Sequence, residues 1–543
     1  MRKFLPLLLF AAVACKQQDF NADLLVKNAV VYTVDNNFST AEAFVVKGGK
    51  IIAVGKADSL ENIYKTRDVI DAEGKAVYPG FIDAHSHFYE YGLSLQEINL
   101  DDSKSWEQIV DSVNTYARRN TEGWIIGRGW DQNNWKLRQF PNKSKLDSLF
   151  PVRPVILTRI DGHAAIANQA ALNIAGVKPG QTISGGEIET IKGKLTGILV
   201  DNAVGIVTRK IPEPTDQITQ SAFLYAQRNC FADGLTTVSD CGLNYTMVNT
   251  IAQLQHKGDL KIRMYVMLSD RQENYDYLFK RGVFKTPGLD VRSFKVYADG
   301  ALGSRGACLL QPYNDQKNWR GFLLSSQAHF EEVAKKIADK GFQMCTHAIG
   351  DSANRVILKI YASVLKGKND RRWRIEHAQV LSPDDIHYFG DYSIIPSVQP
   401  THATSDMHWA VTRLGEKRLK TAYAYKQLLD QNGWLPLGTD FPVENINPIY
   451  TYYAAVERKD LKGNPDGGFQ PKNALSRKQA LQGMTIWAAK ANFEEKEKGS
   501  IEPGKYADFV ILDKDIMKIR GAELPGVKVL KTYVNGEKVY EKK

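Results

Sequence analysis

"PGFIDAHSHF", residues 79–88, is a short apolar run that closes on two histidines one residue apart. Side chains alternate faces along a β-strand, so His85 and His87 share one side of it. Two imidazoles on one face suit a single metal ion, although such a pair taken alone is more often incidental. The rest of the chain decides between the two readings.

The run belongs to the first of eight apolar stretches of strand length: "VYPGFIDAHSHF", "GLTTVSD", "KIRMYVMLS", "SFKVYADG", "GFQMCTHAIG", "RWRIEHAQ", "SIIPSVQP" and "WLPLGTDFP". Amphipathic segments such as "AHFEEVAKKIADK" (328–340) and "SANRVILKIYASVL" (352–365) lie between them. Strands alternating with helices predict a parallel α/β architecture, and eight strands predict a TIM (β/α)8 barrel. A doubly wound sheet is the alternative, but no Gly-rich dinucleotide fingerprint follows any of these strands.

Outward from this core, "ADLLVKNAVVYTVD", "AEAFVVKGGKIIAVG" and "RDVIDAEGKAVYPG" read as short strands of a β-meander, as do "YADFVILDKD" and "VKVLKTYVNGEKVYEKK" at the other end. Neither end has enough strands for a stable sheet, so the two are expected to combine into one composite β-sandwich (23–78 plus 499–543). The barrel then spans 79–94 plus 226–498, and residues 95–225 form an inserted lid or substrate subdomain after strand one. A structureless loop of that length is not expected inside a compact protein.

At 543 residues, 43% hydrophobic and 24% charged, the chain has the composition of a multidomain globular protein. The net charge of +10 is scattered among acids, with no basic stripe interleaved with aromatics, which argues against a nucleic-acid partner. The leader "MRKFLPLLLFAAVAC" has a basic start, an apolar stretch too short to span a bilayer, and small residues before Cys15. It resembles a bacterial lipoprotein signal that lipidates Cys15, with a plain signal peptide as the alternative. Residues 1–22 are thus signal and linker. Either leader predicts export, to the cell envelope if lipidated, with the anchor as the one membrane contact. Cys230, Cys241, Cys308 and Cys345 match no zinc or redox spacing and read as buried free thiols, a Cys230–Cys241 bridge being the alternative.

In a TIM barrel the active site sits at the C-terminal ends of the strands. There strand one carries His85 and His87, strand four Lys295, strand five His347, strand six His377 and strand eight Asp440. Four histidines and one aspartate at one rim are the donors that hold divalent zinc-like metals; iron and manganese also accept them. Lys295 lies inside an apolar strand, where an ammonium is costly to bury and metal cations would repel it. Reaction of its amine with carbon dioxide would give a carbamate able to bridge two metals. A lysine that stays neutral or pairs with Asp299 leaves room for one metal only. His163 in the insertion, Arg305 after strand four and His402 after strand seven are candidate substrate contacts. His408 reads as peripheral, and Glu376 as structural, because alternation points it away from its neighbour His377.

The stretches "PGFIDAHSHF", "DGHAAIANQAAL", "KVYADGALGSRGA", "THAIGDSAN", "RIEHAQ", "QPTHATSDMHWA", "GTDFPVE" and "KGSIEPGKYADFVILD" together resemble the amidohydrolase superfamily, in the branch that includes N-substituted formamide deformylase. The resemblance implies His85, His87 and Asp440 around one metal, His347 and His377 around a second, and carboxylated Lys295 between them. It also implies a metal-activated hydroxide that hydrolyses the C–N bond of a small amide-like substrate, with Asp440 as the proton acceptor. Another ester-like bond, or a non-catalytic binding or regulatory lipoprotein, are the alternatives.

Overall fold

The computed structural model describes residues 20–543. The leader and Cys15 lie outside the described residues. Among those described, no helix is long and apolar enough to cross a membrane.

Seven parallel strands form a nearly closed barrel. They are β1 (Phe81–Ser86), β2 (Leu235–Leu243), β3 (Arg263–Ser269), β4 (Leu289–Tyr297), β5 (Gln343–Ala348), β6 (Arg374–His377) and β7 (Ile395–Ser397), each paired with the next. All six residues of β1 and of β5 are buried. Parallel strands covered on both faces read as continuous apolar runs, which is why these segments lack a hydrophobic–polar alternation. Outside the barrel, the helix Gln327–Asp339 buries Phe330, Val333, Ala334 and Ile337, spaced for one face. Ser326 caps it by accepting the His329 N–H at 3.2 Å.

The eighth run does not become a ladder strand. It closes the ring through one parallel bridge, Val398 to Leu437, and three backbone bonds to the end of β1: the Ala84 N–H to the Leu437 carbonyl at 3.1 Å, the Asp440 N–H to the His85 carbonyl at 2.8 Å and the His87 N–H to the Phe441 carbonyl at 2.8 Å. Pro436 has no N–H to give, which shortens the pairing. Gly438 makes the approach to β1 feasible: a Cβ there would stand 2.6 Å from the His85 nitrogen.

The chain ends meet in a sheet that pairs Phe509 with Pro79 and Val510 with Tyr78. A second, four-stranded sheet holds Ala22–Lys27 between Ala43–Lys47 and Thr66–Asp71. Leu24, Val26 and Phe44 of this sheet share one apolar cluster with Val77, Phe509 and Ile511 of the other. The N-terminal strands are not a simple meander. Thr66–Asp71 runs parallel to Ala22–Lys27, a pairing that needs a crossover, and the helix Ala57–Ile63 lies in that connection. Between β1 and β2, six strands from Ile98–Asn99 to Lys194–Asp201 make a further mixed sheet. It has an apolar core of its own around Ile109, Trp130, Leu157 and Ile166.

Candidate metal centre

The barrel mouth opens into a cavity of about 590 Å³ lined by His87, His163, His347, His377, His402 and Asp440, among others. The side chains from the strand ends converge tightly. His85 Nε2 and His87 Nε2 lie 3.3 and 3.4 Å from the same oxygen, Asp440 Oδ1. The rings of His85 and His377 are 4.8 Å apart, and those of His377 and His347 are 4.6 Å apart. Donor atoms of His85, His377 and Asp440 all lie within 4.8 Å of one another.

What fixes these side chains is visible one layer out. His85 Nδ1 donates to Glu376 Oε2 at 2.6 Å, and His377 Nδ1 to Gln399 Oε1 at 2.8 Å. A proton on Nδ1 alone leaves Nε2 as a lone pair, the form in which imidazole binds a metal. Without metal, burial lowers the His85 pKa, but Cys241, Glu376 and Asp440 outweigh it and raise it well above the ordinary histidine range. Burial, then the neighbouring imidazoles, push His347 and His377 well below the ordinary histidine range, so both are neutral. Burial pushes Asp440 up, but His85, His402 and His87 together hold it well below the usual carboxylate range. The chemistry of this set fits a divalent cation. Four of its fully buried polar atoms, His85 Nε2, His347 Nε2, Lys295 Nζ and Asp440 Oδ1, have no hydrogen-bond partner among the described residues. Leaving one such atom unpaired costs about 1–3 kcal/mol, a cost that a cation held among them would offset.

Lys295 is fully buried, with its ammonium 4.5 Å from the centre of the Tyr297 ring. Burial lowers its pKa, but Tyr297, Cys241, Glu376 and Asp440 outweigh that and leave it above the ordinary lysine value. Asp299 does not pair with it. Its oxygens accept the N–H groups of Cys308, Ile349 and Gly350 instead.

Of the candidate substrate contacts, His163 and His402 line the cavity and Arg305 is not among the lining residues. Arg305 is engaged by Asp315 at 2.8 Å, an acid it shares with Arg413. His163 Nδ1 bonds Asp201 Oδ1 at 2.6 Å, which turns its ring toward His347, 5.0 Å away. His402 is held between two carboxylates, Asp440 and Glu444, at 3.0 Å each. Burial lowers its pKa, but the hydrogen bonds to Asp440 and Glu444 raise it to about 10. His408 pairs with Asp460 at 3.4 Å on the cavity rim. The four cysteines are free.

Two residues at the centre escape the sequence reasoning. Glu376 does not point away: it bonds His85 and is paired with Arg374 at 2.7 Å. The alternation rule fails because His377 has φ +72°, which turns the chain so that consecutive side chains both reach His85. Burial pushes Glu376 up, but Arg374 and His85 hold it below the ordinary carboxylate range. Asp83 accepts the Thr439 hydroxyl at 2.7 Å and the His85 N–H at 3.1 Å, tying the eighth segment to β1 beside Asp440. Its signal was available, since 83, 85 and 87 alternate onto one face.

A family model described as "Amidohydrolase family" matches residues 68–540. The chain is 33% identical over 538 residues to "Protein LONG AFTER FAR-RED 3" of Arabidopsis thaliana, covering 96% of this chain and 92% of that one. It is 27% identical over 544 residues to "N-substituted formamide deformylase" of Arthrobacter pascens, covering 96% and 98%. The crystal structure of an uncharacterized metal-dependent hydrolase from Pyrococcus horikoshii superposes with a TM-score of 0.75 at 28% identity, over 92% of this chain and 99% of that one.

Proposed function

The chain belongs to the amidohydrolase family, and from that premise we propose that it hydrolyses the C–N bond of an amide-like small molecule, an N-formyl or N-acyl amine. The observation that carries the reading is the set of buried, partnerless donor atoms on His85, His347, Lys295 and Asp440, of which His347 and Asp440 line the cavity. His85, His87 and Asp440 would hold one divalent ion and His347 and His377 a second, with Lys295 between them, N-carboxylated. Zinc is the first choice, with iron and manganese as further candidates. Such ions, when bound, polarise a carbonyl and acidify water.

The chain's own residues do the rest. Glu376 and Gln399 hold the two imidazoles in the ligating tautomer. Asp440 accepts the proton of the attacking water and returns it to the departing amine. His402, bonded to Asp440 Oδ2, holds that carboxylate in place. His163, held by Asp201, contacts the substrate from the inserted segment. In this reading residues 95–225 are a lid, the terminal segments 23–78 and 499–543 a composite β-sandwich, and the leader at 1–15 directs export.

The test is metal stoichiometry measured together with turnover of a panel of N-formyl and N-acyl amines. Asp440→Asn is expected to lower turnover at least about a hundredfold. An Asp440→Asn protein that turns over fully with its metals bound contradicts the assigned base.

A further inference from the structure

One carboxylate on the cavity wall is built for a partner that the chain does not supply. Asp406 ends the helix Pro400–Asp406, one turn beyond His402, so the two side chains share a face about 5–6 Å apart. It lines the same cavity. Tyr423 Oη donates to Asp406 Oδ2 at 2.8 Å, and Gln379 Nε2 to the same oxygen at 3.3 Å. Both donors are buried, and Gln379 also bonds Tyr423 Oη at 3.1 Å, so the rotamer of Asp406 is fixed from behind. The second oxygen, Oδ1, is bonded by no described residue, and no Lys, Arg or His nitrogen of the described chain forms a salt bridge with Asp406. Burial pushes this carboxyl up to about 7; His402 opposes the rise, while Glu444 and Asp131 add to it. Of the other acids of the wall, Asp131 and Asp161 are engaged by Arg159, Glu444 by His402 and Asp460 by His408, while the exposed Glu90 and Asp102 lie 3.9 Å from Arg128 and 3.8 Å from Lys104.

We propose that Asp406 selects substrates that carry an N–H donor, best a primary ammonium, about one helical turn from the reacting carbonyl. The inference rests on the C–N hydrolase reading for the position of that carbonyl, which His402 marks through its bond to Asp440. A carboxylate anchored through one oxygen offers the other in a fixed direction, and an ammonium there makes a charge-assisted hydrogen bond. The pairing also offsets the repulsion between a half-buried carboxylate and the neighbouring acids Glu444 and Asp131.

The full-length, zinc-loaded protein is tested with mono-acetylated diaminobutane and with N-pentylacetamide, which match in shape and differ in the terminal ammonium. Binding is measured by calorimetry and turnover separately. The expected result is at least about tenfold tighter binding of the ammonium compound, with the preference falling to near unity in Asp406→Asn. Tyr423→Phe, which removes one anchor and keeps the charge, should reduce the preference without abolishing it. A wild type without preference, or an Asp406→Asn protein that retains it, overturns the proposal. Should Asp406→Asn not fold, Asp406→Glu replaces it: the longer arm should move the preference to mono-acetylated diaminopropane, and an unmoved preference overturns the proposal. Selective binding without hydrolysis of either amide counts against the C–N reading alone. Hydrolysis of both without preference counts against Asp406 alone.

Discussion

Two buried cations of the same barrel, Arg263 and Lys295, are treated in opposite ways. Arg263, at the start of β3, meets Asp508 through two bonds of 2.6 and 3.0 Å, gives a third to the Pro287 carbonyl at 2.7 Å, and stacks 3.9 Å from the Tyr506 ring. Lys295, near the end of β4, has an ammonium with no hydrogen-bond partner among the described residues. The first arrangement is complete and ties the barrel to the sheet of the chain ends. The second is open, and it sits among three other unpaired polar atoms. A buried charge whose bonds are all made belongs to the architecture, whereas one whose bonds are missing is free to serve a ligand.

The comparison predicts different responses to the same change. Arg263→Met strands the Asp508 carboxylate in the interior and should cost about 3 kcal/mol or more of unfolding free energy, measured by denaturant titration. The double change Arg263→Met with Asp508→Leu should recover much of that loss, because the cost lies in the orphaned charge. Lys295→Met, assayed without metal, removes a buried ammonium with no hydrogen-bond partner among the described residues and should leave stability unchanged or raise it by up to about 3 kcal/mol. A Lys295→Met protein as unstable as Arg263→Met would erase the distinction between the two sites.

Metal should reverse the ranking. A ligand that binds only the folded protein stabilises it by about 4 kcal/mol when present at a thousandfold excess over its dissociation constant. Zinc added to the chelator-treated wild type should therefore raise the melting temperature, and Lys295→Met should lose most of that rise while Arg263→Met keeps it. An equal zinc response in Lys295→Met would remove the lysine from the metal centre.

How much of this was legible in sequence follows from the range of each signal. Alternation along β1 is local, and it places His85 and His87 on one face. Continuous apolar runs locate seven strands, because burial on both faces leaves that imprint on composition. The eighth run carries the same imprint but pairs with β7 only through the bridge at Val398, since Pro436 has no N–H to extend the ladder and Gly438 packs against His85. Glu376 is misread because one left-handed residue, His377, cancels a rule that assumes extended backbone. The partnership of His163 with Asp201 joins residues 38 positions apart inside the insertion, and no periodicity announces it. Arg305 shows the converse: its place after strand four fits a substrate contact, yet Asp315 already occupies it.

A titration also separates the two regions. Arg263 stays charged throughout the accessible pH range, so its pair with Asp508 is silent above neutrality. His402 is not silent. Its folded-state pKa, raised to about 10, lies above the unfolded value of about 6.5. Stability from its ion pairs with Asp440 and Glu444 is therefore fully present below about 6.5 and is lost as pH rises through about 10. In metal-free protein, the wild type should lose stability across that window relative to His402→Gln, whose amide does not titrate. Other groups that titrate in the window cancel in the difference between the two proteins. Parallel pH profiles would show that His402 is not held as an imidazolium between the two carboxylates, and the clamp on Asp440 would then be a neutral hydrogen bond.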